Sequence, residues 1–245
     1  KIINTFDEIS ANYSAIFCDL WGCLHNGQKA FPEALVALKE YKTKGGVVIL
    51  LTNAPRPKQA IIEHLTELSI MKEHYDDIVT SGDAAQNEML SGIVGQKVYH
   101  LGPERDLAFF NASQTVMNGS LAIQRVPLEA AEGIVCTGLF DDLKETPDDY
   151  KDTIKFGVEK NLSMLCANPD IFVDIGHRRV WCAGGIAQAY SKAGGKSLYF
   201  GKPHRPIYDL ARKKLTEIVG AFQENKILCV GDGIQTDIKL SLIHI

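Results

Sequence analysis

Ala15-Ile16-Phe17-Cys18-Asp19-Leu20-Trp21-Gly22 and, further along, Val47-Val48-Ile49-Leu50-Leu51-Thr52-Asn53 decide the fold. Each is a short, unbroken apolar run that stops at a polar residue. A continuous run rich in β-branched residues reads as a strand covered on both faces. Between the two runs, residues 32–44 carry apolar side chains at helical spacing, with Pro32 near the start and Gly45-Gly46 beyond the end. A helix over residues 57–68, a strand over 77–80 and a helix over about 83–90 continue the alternation. That order, βαβαβα, specifies a parallel, doubly wound sheet.

The middle of the chain is less regular. Strands are expected at 97–101, 121–125, 134–136 and 163–167, with helices at 148–160 and 184–193. From Ser197 the opening rhythm resumes as a strand at 198–200, a helix at 206–219, a strand at 226–230 and a Gly231-Asp232-Gly233 loop. The simplest organisation is a discontinuous core, residues 1–92 and 198–245, interrupted by an α/β insert over residues 93–197.

Composition narrows the function classes. The chain has 245 residues, enough to bury a core without disulfides. A net charge of -4 leaves no cationic field for nucleic acid or an anionic bilayer, so neither is expected as a partner. The longest apolar runs are about five residues against the roughly twenty that span a membrane. Residues 1–14 are polar and lack the apolar stretch of a signal peptide, so a cytoplasmic location is expected. The cysteines form no Cys-x-x-Cys pair, which argues for reduced thiols packed as small hydrophobes.

In a doubly wound sheet, ligands bind outside the carboxyl ends of the strands. Four strand ends carry chemistry: Asp19, Thr52-Asn53, Lys202 in Gly201-Lys202-Pro203, and Asp232 with Asp237. A carboxylate can attack phosphorus and split a difficult hydrolysis into two steps. A hydroxyl and an ammonium stabilise the charge on the phosphoryl oxygens. Carboxylates on separate strands can hold Mg²⁺, a hard ion that prefers oxygen. Singly, each residue is as well explained as a turn or helix cap; the ordered set of four is not.

With these motifs in place the sequence resembles the haloacid dehalogenase-like hydrolases, in particular subclass IIA, the NagD-like phosphatases whose C2-type cap lies between the second and third motifs. The resemblance implies an α/β fold with an inserted α/β C2-type cap and hydrolysis of a small phosphorylated metabolite with Mg²⁺. It implies Asp19 as nucleophile, Thr52 and Asn53 as phosphate contacts and Lys202 as the anchoring ammonium. Asp19, the backbone of Trp21, Asp232 and Asp237 would serve the metal. Residues 168–170 and 182–187 look like cap segments of the same subclass, and self-association through the cap is left open.

Two features depart from the family pattern. Where the first motif usually has a second Asp that protonates the leaving group, this chain has Trp21. General acid-base help is worth about 10²- to 10⁴-fold, so slow turnover or another donor is expected. His25, six residues past Asp19, reads first as a loop histidine that caps or faces solvent and second as a substitute donor. After Asp237 only residues 238–245 remain, and the stretch from Leu240 does not read as the helix and strand that the resemblance implies.

In the insert, His177, Arg178 and Arg179 form a basic cluster that either binds a second anionic group or makes a solvated turn. Trp181 either stacks on substrate or packs. Gly184-Gly185 either receives an anion or allows close helix packing. The competing function is a phosphate-ester binding or regulatory protein whose hydrolysis is crippled by Trp21. A receiver domain is disfavoured by the large insert, and a dinucleotide dehydrogenase by the lack of Gly-x-Gly-x-x-Gly after the first strand. C-halogen or C-P cleavage rests on family analogy alone.

Overall fold

A computed structural model describes residues 2–114, 122–175 and 178–238. The short helix α1 (Asp7–Ser10) precedes β1 (Ala15–Asp19), α2 (Pro32–Thr43), β2 (Val47–Thr52), α3 (Lys58–Glu67), β3 (Asp77–Thr80) and α4 (Ser81–Leu90). Then come β4 (Lys97–Leu101), β5 (Gln124–Arg125), β6 (Gly133–Cys136), α5 (Lys151–Glu159), β7 (Ser163–Cys166), β8 (Phe172–Ile175), β9 (Arg178–Trp181), α6 (Ala183–Lys192) and β10 (Lys196–Tyr199). The last elements are α7 (Arg205–Val219), β11 (Ile227–Val230) and a π-helical turn, Ile234–Ile238, that carries Asp237.

The fold class is the expected one: α/β, with a parallel core sheet and an inserted α/β unit that has its own parallel sheet. The core sheet has the strand order β11-β1-β2-β3, with β1 parallel to both neighbours. The second sheet has the order β10-β7-β6-β4-β5, and β8 and β9 form a separate antiparallel ribbon. Contacts group the chain into two units. One comprises Lys1–Thr52, Gln59–Val79 and the chain from Ile207; the other comprises Asn53–Lys58 and Thr80–Pro206.

Each unit has a core that follows from its sequence pattern. Every residue of β1 is buried, and so is every residue of β2 after Val47. Ala15, Phe17, Ile49 and Leu51 of these strands pack with Val79 and with Ile207, Tyr208, Ala211 and Leu215 of α7. In the second unit, Ile134, Cys136, Met164 and Cys166 meet Ile154 of α5 and Ile186, Ala187 and Tyr190 of α6. Burial pushes the Cys136 thiol up to about 12, so it stays neutral and packs as a hydrophobe. Cys18, Cys136, Cys166 and Cys182 are buried thiols outside any disulfide, whereas Cys229 is exposed.

Local signals account for several boundaries. Pro32 opens α2, and Gly45, with φ +90°, follows its end in the left-handed region that glycine adopts readily. Thr80 caps α4 by accepting a hydrogen bond on its hydroxyl from Asp83 N at 2.8 Å.

The largest departure from the expected elements concerns the strand at 198–200. It does not rejoin the core sheet: as β10 it pairs in parallel with β7, Tyr199 opposite Cys166. The connection from β7 through α6 explains this, because a crossover helix that packs on its own sheet returns the chain to a neighbouring strand. The β8–β9 ribbon was not anticipated, and Arg178 and Arg179 lie on its second strand. Helix α5 is preceded by a 3₁₀ turn, Pro147–Tyr150, with a capping box between Thr146 and Asp149. Of the strand expected at 121–125, Gln124–Arg125 is observed; Leu121, His177 and the tail from Leu240 lie outside the described residues. No described helix is long and apolar enough to cross a membrane.

Tyr190 ties the second unit together. It is fully buried, its hydroxyl donates to Leu162 O at 2.6 Å, and its ring lies against Gly195 and Gly157. Tyr190→Phe leaves that carbonyl without its partner and is expected to cost about 1–3 kcal/mol in urea unfolding, with the fold retained by circular dichroism.

Candidate active site

Register at the core sheet gathers the acidic residues. Cys18 lies opposite Val230 on one side, and Asp19 lies opposite Leu51 on the other. Asp19 is therefore the last residue of the central strand, Thr52 ends β2, and Asp232 stands just past β11. Ligand oxygens of Asp19, Asp232 and Asp237 all lie within 4.8 Å of one another. Asp19 and Asp237 are buried and Asp232 is exposed, which gives the cluster one wet side.

Backbone groups hold these carboxylates in place. Leu20 N donates to Asp19 Oδ1 at 2.7 Å. Asp237 Oδ2 accepts from Gly233 N and from the Thr236 hydroxyl, each at 3.1 Å. Two glycines make room for the acids. At Gly22, with φ +77°, a Cβ would collide with the Asp232 carboxylate, and at Gly231 one would collide with Asp237. Three convergent hard oxygen donors in a cradle that a single methyl would fill fit a divalent cation such as Mg²⁺. Gly22→Ala is accordingly expected to weaken Mg²⁺ binding about 10- to 100-fold by calorimetry, as loss of groups that orient ligands does.

Trp21 is folded into its own loop. Its ring centroid is 5.6 Å from that of His25 in an edge-on contact, and a Cβ on Gly27 would strike the indole. An indole N–H only donates, so this side chain cannot act as a base. His25 is buried, and its Nδ1 accepts from Gly27 N at 3.0 Å, while its main chain accepts from Gly22 N at 2.9 Å. Its ring also meets His64, a neighbour with no sequence signal, at 5.7 Å.

Burial, and secondarily the His64 charge, lower His25 to about 4. It is neutral near pH 7, with Nδ1 engaged in loop structure, which fits the loop role better than the donor role. The sign follows from linkage: an unfolded His titrates near 6.5, so the unfolded chain binds more protons between pH 6.5 and 4. The contribution to stability is complete above pH 6.5 and is lost as pH falls toward 4. NMR titration of the His25 ring is expected to give a midpoint near 4, and His25→Gln to reduce the fall in urea midpoint between pH 7 and 5.

Lys202 and Asn53 come together in the second unit. Lys202 follows β10 and is 2% exposed. Asn53 Oδ1 accepts from Lys202 N at 2.7 Å, and Asn53 Nδ2 donates to Lys202 O at 3.2 Å and to Asp170 Oδ1 at 2.9 Å. With that carboxamide engaged, a contact from Asn53 to an anion falls to its main-chain N–H. Asp170 carried no role in the sequence; its N–H donates to Asn168 Oδ1 at 3.0 Å, in a turn typical of Asn.

The other residues of the insert are engaged locally. Arg178 Nη2 donates to Leu143 O at 2.9 Å. Arg179 forms a two-pronged pair with Asp174, at 2.8 and 3.0 Å, and lies over the Phe172 ring at 4.2 Å. Trp181, 38% exposed, makes an edge contact with Phe172 and covers Gly185, so it packs in part and keeps an accessible face. Gly184 is needed because a Cβ there would collide with the carbonyls of Pro169 and Asp170.

Known proteins share this fold. Residues 16–115 match the haloacid dehalogenase-like hydrolase family. A crystal structure of a haloacid dehalogenase-like hydrolase from Brucella suis 1330 is 39% identical, covers 99% of this chain and 86% of its own, and superposes with a TM-score of 0.92. A possible sugar phosphatase from Cytophaga hutchinsonii is 23% identical over 97% of this chain and 84% of its own, with a TM-score of 0.76. A 4-nitrophenylphosphatase from Thermotoga maritima is 20% identical over 96% and 84%, with a TM-score of 0.71. No curated protein matches the sequence. Near-complete coverage at 39% identity, on a fold whose first strand ends in Asp19, places the chain in the haloacid dehalogenase-like hydrolase family.

Proposed function

We propose that this chain is a Mg²⁺-dependent phosphatase of the NagD-like subclass, acting on a small phosphorylated metabolite. The observation that carries the reading is the convergence of Asp19, Asp232 and Asp237 at the carboxyl ends of β1 and β11. The names of the Cytophaga and Thermotoga structures, a possible sugar phosphatase and a 4-nitrophenylphosphatase, support a phosphomonoester as the substrate class.

Asp19 supplies the nucleophilic oxygen. A bond forms from its carboxylate to phosphorus, the bond from phosphorus to the ester oxygen breaks, and the ester oxygen leaves with that electron pair and takes a proton from water to become the alcohol. Water then hydrolyses the aspartyl phosphate, releasing inorganic phosphate and restoring the carboxylate. The Thr52 hydroxyl and the Lys202 ammonium bear on the phosphoryl oxygens, where charge is greatest in the transition state. Asp19, Asp232, Asp237 and the Trp21 carbonyl would hold the cation, which when bound neutralises charge on the carboxylates and phosphate. The inserted unit, whose sheet includes β10, would serve as a lid that excludes water, as the family resemblance implies. Arg178 and Arg179, exposed on β9 and held by Leu143 O and Asp174, are the candidates for a second anionic group of the substrate.

Trp21 supports a second reading, a phosphate-ester binding protein with little turnover, because its packed indole replaces an acid and base. One experiment separates the two: phosphate release from a panel of sugar phosphates, nucleotides and 4-nitrophenyl phosphate, for the parent, Asp19→Asn and Trp21→Asp. Under the phosphatase reading, Asp19→Asn abolishes release. Trp21→Asp raises turnover of alkyl phosphates by about 10²- to 10⁴-fold, and of 4-nitrophenyl phosphate far less, since that leaving group needs no protonation. Release by the parent no greater than by Asp19→Asn, with Mg²⁺-dependent binding of the esters intact, selects the binding protein.

A further inference from the structure

Two backbone groups of Lys202 are read by one side chain. The Asn53 carboxamide takes the Lys202 N–H on Oδ1 at 2.7 Å and offers Nδ2 to the Lys202 carbonyl at 3.2 Å. Such a pair of contacts fixes the main chain from which the ammonium extends. It works in only one sense of the amide. Turned over, the group would set NH₂ against the Lys202 N–H and oxygen against the Lys202 carbonyl.

Asp170 selects that sense. Its Oδ1 accepts the other Nδ2 hydrogen at 2.9 Å, so a turned amide would also place oxygen against a carboxylate. The acid is itself aimed by the Asn168 turn. Gly201, next to Lys202, has no space for a side chain: a Cβ would overlap Asn53 Oδ1 and lie 2.6 Å from both Pro169 Cδ and Ser81 Oγ. Ser81 Oγ is the buried side-chain atom without a partner among the described residues, so polar strain is tolerated here to keep this approach close.

We propose that Asp170 is a positioning residue, acting through the Asn53 carboxamide to hold Lys202 in place. That Lys202 meets phosphate rests on the function proposed above; that Asp170 holds it does not. The two claims are separated by pairing a structural readout with a catalytic one.

The structural readout is hydrogen exchange of the Lys202 amide, followed by NMR in Asp170→Ala and Asp170→Asn. Asp170→Ala speeds that exchange by about tenfold or more while the global melting temperature is kept, and Asp170→Asn, which retains an oxygen acceptor, stays within about threefold of the parent. Asp170→Ser gives the same readout should the alanine variant not fold. An unchanged Lys202 amide in Asp170→Ala, or in Asp170→Ser where that variant is used, overturns the proposal, whatever the activity.

The catalytic readout is a double-mutant cycle on kcat for 4-nitrophenyl phosphate with Asp170→Ala and Lys202→Ala. Acting through Lys202, Asp170→Ala lowers kcat about 10- to 100-fold in the parent, changes KM little, and has no further effect once Lys202 is gone. An equal loss in both backgrounds overturns the proposal. Absence of Asp19-dependent turnover in the parent rejects the phosphatase reading, and the exchange measurement still decides the role of Asp170.

Discussion

The pairing of β1 on both sides is the constraint on which the molecule depends. A strand between parallel neighbours has all its backbone polar groups committed, and its five residues are buried. The chain can present chemistry only where that pairing ends. Asp19 is the last residue to pair, opposite Leu51, and its carboxylate is met at once by the next backbone N–H. The neighbours inherit the same edge. Thr52 ends β2, and the Gly231–Asp237 loop leaves β11 one residue beyond the partner of Cys18. Convergence of three carboxylates is thus a product of strand register.

Glycines and turns then set the spacing at this edge. Gly22 and Gly231 yield the volume that Asp232 and Asp237 occupy, and Gly27 yields the volume taken by the Trp21 ring. In the second unit, Gly201 and Gly184 do the same for Asn53 and for the Pro169-Asp170 backbone. Main chain and functional side chain approach more closely than any residue with a Cβ would permit. A methyl group at Gly22 or Gly231 would move a carboxylate rather than open a cavity.

Much of this was legible in the sequence. The apolar runs of β1 and β2, the capped helices between them and the polar residues at their ends follow from periodicity and local turn chemistry. The identity of the strand that carries Lys202 did not. Leu198, Tyr199 and Phe200 read as a return to the first sheet, yet β10 pairs with β7 because α6 packs on that sheet and the chain comes back beside it. The roles of His25 and Asp170 were equally out of reach. Each depends on a neighbour distant in sequence: His64 for the ring of His25, and Asn53 for the carboxylate of Asp170.

The sequence by itself determined the α/β alternation and the candidate residues at the strand ends. These are carried by one-dimensional spacing and by residue chemistry. Tertiary structure decided which of the candidates stand together, which polar groups are already engaged, and where Lys202 is anchored. The physical reason is that hydrogen-bond partnership and burial are properties of pairs. The pairs that matter here, Asp19 with Asp237 and Asn53 with Lys202, are brought together only when the sheets form.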